Sequence, residues 1–96
     1  MFEWDPRKAE ANADKHGVAF DEAVTVFLDA DALDGPDLQH STLEARFRRL
    51  GRSAKGRVLM VVYTQRRAGH AETIRVINAR RASRQERSAY IKDSED

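Results

Sequence analysis

The chain has no cysteine, which excludes disulfides, thiolate nucleophiles and thiolate-bound zinc and suits a reducing compartment. It has no long apolar run either. The longest purely aliphatic stretch, Val58 to Val62, falls far short of the roughly 20 residues that cross a bilayer. The opening Phe2-Glu-Trp-Asp5 lacks the basic and then apolar character of a secretory signal. The three histidines are scattered without metal-ligand spacing, so neither a metal nor any other cofactor is expected. Nucleotide-binding glycine loops, nucleophile elbows and helix-borne zinc motifs are absent, as are repeats and linkers. These absences leave a cytoplasmic protein with no membrane contact, and 96 residues suit one domain, residues 1–96, around a single core.

Charge is present in quantity and unevenly placed. Residues 1–43 carry three basic and ten acidic side chains, and residues 44–96 carry fourteen basic and six acidic ones. Twelve of those fourteen cations are arginine, the side chain best suited to holding two phosphate oxygens at once. The second half therefore offers a positive field to a polyanion, and the acidic stretch Asp29 to Asp37 offers a guide for a basic partner. The plainer alternative is that the two halves neutralise each other across the fold.

The chemistry concentrates between Thr73 and Tyr90. Residues 73–79 are rich in β-branched side chains and read as a strand. Ser83 stands three positions before Glu86, the spacing of a capping box, which predicts a helix from about Arg84. Arg80 and Arg81 then lie between a strand end and a helix N-terminus, where phosphate is the natural ligand.

Upstream, Phe2 to Trp4 reads as a short edge strand. Asp5-Pro6 reads as a cap and first helical position, and Gly17 as the stop, so a helix is expected from Pro6 to about His16. Val18, Phe20, Ala23, Val24, Phe27 and Leu28 recur at helical spacing and predict a second helix over Asp21 to Leu28. Asp29 to Gln39 reads as an acidic loop with room for a short strand. Strands are expected over Glu44 to Arg52 and Arg57 to Thr64, the latter central, with a turn over Gly51 to Gly56 and a hairpin loop over Gln65 to Ala71. The whole is an α+β fold: a small antiparallel sheet, three strands in a meander, packed against two N-terminal helices with a C-terminal helix.

Phe2-Glu-Trp-Asp5, Lys15-His-Gly-Val18, Phe20-Asp-Glu-Ala23, Val26-Phe27, His40-Ser41, Gly51-Arg-Ser53, Gly56-Arg57, Val62-Tyr-Thr64, Ile74-Arg75, Ala79-Arg-Arg-Ala82 and Glu86-Arg87 occur in an order and spacing that together resemble the BrnT ribonuclease toxins of type II toxin-antitoxin systems. The resemblance covers nearly the whole chain. It implies a RelE-like fold, endoribonuclease activity on RNA without a metal, and neutralisation by a BrnA-like ribbon-helix-helix antitoxin through which alone operator DNA would be met. Three departures stand out. Ala19 replaces a serine that would cap the second helix, Ala45 replaces a second acid after Glu44, and Arg48 and Arg49 add charge to a strand that is usually more apolar.

Such cleavage uses the ribose 2′-hydroxyl as nucleophile, so the protein must accept a proton, donate one and stabilise a phosphate gaining charge. His40, Glu44 and Tyr63 are the better proton carriers, because arginine holds its proton at neutral pH. The expected catalytic set is His40, Glu44, Arg46, Tyr63, Arg80 and Arg81. The expected RNA-binding set is Arg57, Arg75, Arg80, Arg81 and Arg84. Each has a plainer reading: Arg80 and Arg81 as a surface pair answering the acidic half, Arg46, Arg57 and Arg75 as solvated strand residues, and His40 as an incidental loop residue. Hairpin register decides whether Arg57, Tyr63 and Arg75 share a sheet face. A non-catalytic nucleic-acid binder and a protein-interaction module remain the alternative functions.

Overall fold

The structure is a computed structural model that describes residues 1–41 and 44–95. Strand β1 (Phe2–Glu3) leads into helix α1 (Pro6–His16), whose ends follow from local chemistry. The Asp5 carboxylate accepts the Arg7 N–H at 2.8 Å, Pro6 needs no N–H partner at the first helical position, and Gly17 closes the helix at φ +68°.

The expected second helix is divided. Only Phe20–Ala23 (α2) is α-helical, and Val24–Leu28 tightens into a 3₁₀ turn. The β-branched run Val24-Thr25-Val26 is one cause, since such side chains crowd the preceding turn. Thr25 adds another by donating its hydroxyl to the Glu22 carbonyl at 2.6 Å while accepting the Ala54 N–H. Ala19 at the start supplies no side-chain cap.

Four further strands follow: β2 (Leu33–Pro36), β3 (Phe47–Arg52), β4 (Val58–Ala68) and β5 (Ala71–Arg81), then helix α3 (Arg84–Glu95). The sheet order is β1-β5-β4-β3-β2. The expected meander is its centre, but the sheet is mixed rather than antiparallel, because β1 pairs in parallel with β5 at Ile74 and Arg75. The acidic loop contributes the outer strand β2. The expected hairpin loop from Gln65 is mostly ladder, with Gly69 at φ +62° in the turn. Val62 pairs with Asn78 and Tyr63 with Val76, so Ile77 is an extra residue in β5.

Val18, Phe20, Ala23 and Val26 pack on Leu59, Val61, Val76 and Ala79 on one sheet face. On the other, Tyr90 of α3 closes over Leu50, Val58 and Met60. Among the described residues, α3 covers one end of that face and leaves the rest open. Among the described residues no helix is long and apolar enough to cross a membrane.

Beyond its short pairing with β1, the outer edge of β5 is met at Ala79 by a side chain. Asn12, buried in α1, accepts the Ala79 N–H at 3.1 Å and donates to the Ala79 carbonyl at 2.8 Å and the Val18 carbonyl at 3.0 Å. Asn12→Ala would leave these backbone groups buried without partners, each worth about 1 to 3 kcal/mol. We expect a loss of about 3 kcal/mol in urea unfolding. A loss under about 1 kcal/mol would show that water replaces the amide.

Candidate nucleic-acid interface

Strand alternation decides which side chains reach the open face. In β3, Arg48 stands beside Val62 of β4 and Leu50 beside Met60, whereas Phe47 and Arg49 turn to the helical side. In β5, Asn78 and Arg80 align with Val62 and Met60. Arg48, Met60, Val62, Asn78 and Arg80 of the sheet, with Lys8 from α1 and Asp37, Gln39, His40 and Arg46, line a groove of about 530 Å³.

Its walls are cationic. Among the described residues, the side chains of Lys8, Arg46 and Arg48 have no carboxylate partner. Arg80 is held differently: its two terminal nitrogens donate to both Glu86 oxygens at 2.7 and 2.9 Å. Glu86 also accepts the Ser83 N–H while the Ser83 hydroxyl accepts the Glu86 N–H, so the expected capping box forms and fixes Arg80 as well. The Arg80 guanidinium holds the Glu86 carboxyl down at about 2. The stability this pair contributes is therefore complete above about 4.5, the ordinary value, and lost as pH falls through about 2. Glu86→Gln should flatten the acid limb of a stability profile over that window. An unchanged limb would mean that other carboxylates dominate acid unfolding.

His40 carries the groove's imidazole. Its Nδ1 lies 3.0 Å from the Asp37 carboxylate, which is 4% exposed. Asp37 is fixed in turn: its N–H donates to the Arg46 carbonyl at 2.8 Å, and its carbonyl accepts the Ser41 hydroxyl at 2.7 Å. With Nδ1 engaged, Nε2 is the nitrogen left for a ligand.

Of the residues expected from sequence, the groove thus gathers His40, Arg46 and Arg80. The others lie elsewhere, each for a physical reason. Tyr63 faces the helical side, stacked edge-on to Phe27, and donates to Asp34 at 2.8 Å. Burial and that carboxylate raise its pKa, so it holds its proton. Glu44 lies in a separate hollow with Phe47 and Gln65, its carboxylate 3.4 Å from Arg66. Arg57 is bound to buried Glu22 and donates to the Gly17 carbonyl at 3.1 Å. Arg75 pairs with Glu3 at 3.3 Å across the parallel ladder. Arg81, opposite Leu59 in the ladder, and Arg84 in the first turn of α3 are exposed outside the groove walls. Arg57, Tyr63 and Arg75 therefore form no common cluster.

Lys8, Asp37, Arg48 and Asn78 are groove residues that sequence reading left out of the site. Arg48 had a usable signal, because it stands two positions from Arg46 in a strand. The acidic stretch is mostly engaged within the chain. Asp29 accepts the Tyr90 hydroxyl and the Arg52 N–H, Asp34 binds Arg49 and Tyr63, and Asp37 binds His40, which leaves Asp31 as the acid of the stretch whose side chain has no partner among the described residues.

The fold is shared with a solved protein. The 1.1 Å crystal structure of the Brucella abortus ribonuclease toxin BrnT matches with a TM-score of 0.63 over 88% of this chain and 99% of that one, at 23% identity. No curated protein sequence matches the chain. The family model described as the ribonuclease toxin BrnT of type II toxin-antitoxin systems matches residues 4–86. That span contains both helical-face core and groove, and the chain belongs to the BrnT family of ribonuclease toxins.

Proposed function

We propose that this protein is a metal-independent endoribonuclease, the toxin of a type II module, with residues 1–96 acting as one toxin domain and the open groove as its active site. The observation that carries the reading is the groove's composition: Lys8, Arg46 and Arg48, without carboxylate partners among the described residues, beside an imidazole held by a buried carboxylate. Arg46 and Arg48 bind the non-bridging phosphate oxygens and stabilise the charge that grows on them, the work a metal ion would otherwise do. His40 Nε2 takes the proton of the ribose 2′-hydroxyl, while Asp37 steadies the imidazolium that forms. The 2′-oxygen bonds to phosphorus as the bond to the 5′-oxygen breaks. Lys8, the ammonium on the walls among the described residues, supplies the proton to that leaving oxygen. The products are a 2′,3′-cyclic phosphate and a 5′-hydroxyl.

A BrnA-like ribbon-helix-helix antitoxin would neutralise the toxin by covering the groove with acidic side chains, since burying unpaired arginine is costly. Operator DNA would be met only through that partner, and the RNA target places the reaction in the cytoplasm. The test is cleavage of RNA by the purified protein in EDTA, with an oligonucleotide lacking 2′-hydroxyls alongside. Cleavage of the RNA alone is expected, and His40→Ala should lower the rate about a hundredfold, the lower range for loss of a general base. Cleavage of the deoxy substrate, or a requirement for added metal, would refute the mechanism. Salt-sensitive binding without cleavage would leave a nucleic-acid binder.

A further inference from the structure

We propose that the RNA strand leaves the groove over Lys8 and follows one stripe of α1 to Lys15 and His16, a binding track for nucleotides that flank the cleaved bond. The proposal rests on the ribonuclease reading and adds a second site to it. A hollow of about 200 Å³ lies beside the groove, and the two share Lys8, Ile77 and Asn78 in their walls. The second hollow adjoins the first at the edge of β5. Its far wall is α1, where Ala11, Lys15 and His16 follow Lys8.

Helical geometry explains the alignment. Residues seven apart return to the same face, so Lys8 and Lys15 stand on one stripe about 10 Å apart along the axis. The small Ala11 between them leaves room. The acids of this helix, Glu10 and Asp14, do not enter the wall, and among the described residues Lys15 has no carboxylate partner. Ile77, the extra residue of the β5 bulge, places an apolar side chain where the two hollows meet. The His16 ring supplies a surface on which a base can stack, and the Asn78 amide presents both a donor and an acceptor. Alternating cations and flat or apolar surfaces are what a single strand needs, since phosphates and bases recur together along it.

The experiment compares binding of a 2′-O-methyl trinucleotide and a 2′-O-methyl dodecanucleotide by the unchanged protein, Lys15→Gln, Lys15→Glu and Lys55→Gln. Blocking the 2′-oxygens keeps the ligands intact. Lys55, in the turn before β4, lies outside both hollows and controls for lost net charge. Lys15→Gln should weaken dodecanucleotide binding several-fold at low salt and reduce its logarithmic salt slope by about 0.7, the contribution of one phosphate contact on a single strand. Lys15→Glu should weaken it further. Trinucleotide binding should match the unchanged protein, as should both ligands with Lys55→Gln. Equal loss for the two lengths, or no loss while the unchanged protein binds both, overturns the track. If the unchanged protein binds neither ligand, the ribonuclease reading fails first and the track with it.

Discussion

Arg46→Ala combined with Arg48→Ala should reduce RNA cleavage by about a thousandfold, while the urea midpoint stays near that of the unchanged protein. Removing one preorganised donor to a developing charge typically costs about a hundred- to a thousandfold in rate, and two donors on one phosphate do not act independently. Folding should be nearly indifferent. Among the described residues neither guanidinium has a carboxylate partner, and Arg48 is exposed. Surface substitutions of this kind usually stay within about 0.5 kcal/mol. Arg80 is a poorer probe, because its loss also removes two of the bonds that hold Glu86 in the first turn of α3. A folded double variant that retains more than a tenth of the activity would remove these arginines from the reaction.

The second large effect is on stability. Glu22 is 5% exposed and accepts from Arg57, and from the Ser53 hydroxyl at 2.7 Å. Hydrogen bonding from Arg57 is the main influence holding its carboxyl below the usual range. Glu22→Ala should destabilise the fold by about 3 to 5 kcal/mol, since the arginine and hydroxyl that surround it would lose their acceptor. The measurement is equilibrium unfolding in urea. A cost under about 1 kcal/mol would mean that Arg57 swings into solvent and the cluster contributes little. RNA binding by the folded fraction should be untouched, because this cluster lies on the helical side of the sheet.

Arginines that sequence alone presents as alike thus divide into groove residues and structural ones. Local signals were readable: Asp5, Pro6 and Gly17 marked both ends of α1, and Ser83 with Glu86 marked the start of α3, because these features depend on neighbours a few residues away. Pairing between distant segments was not. The two residues of β1 find a parallel place beside β5 some seventy positions on, and nothing in Phe2-Glu3 states that. The bulge at Ile77 resets which side chains of β5 face the groove. The neutralising reading of the charge asymmetry holds in part. Glu3, Glu22 and Asp34 of the acidic half bind Arg75, Arg57 and Arg49, while Arg46 and Arg48 stay open on the other face. Alternation within β3 sends Arg48 outward and Arg49 onto Phe27, so adjacent identical residues acquire opposite roles.

The amide of Asn12 has a consequence for how other chains meet this one. An uncovered strand edge invites any extended peptide to add itself to the sheet. Here Asn12 satisfies both ladder groups of Ala79, so an incoming backbone finds them already taken. The molecule works as though a single peptide unit of a further strand had been supplied from within α1. Strand addition along this length of β5 would require that amide to be displaced, and a peptide seeking a free ladder is directed to β2, at the opposite side of the sheet from α1.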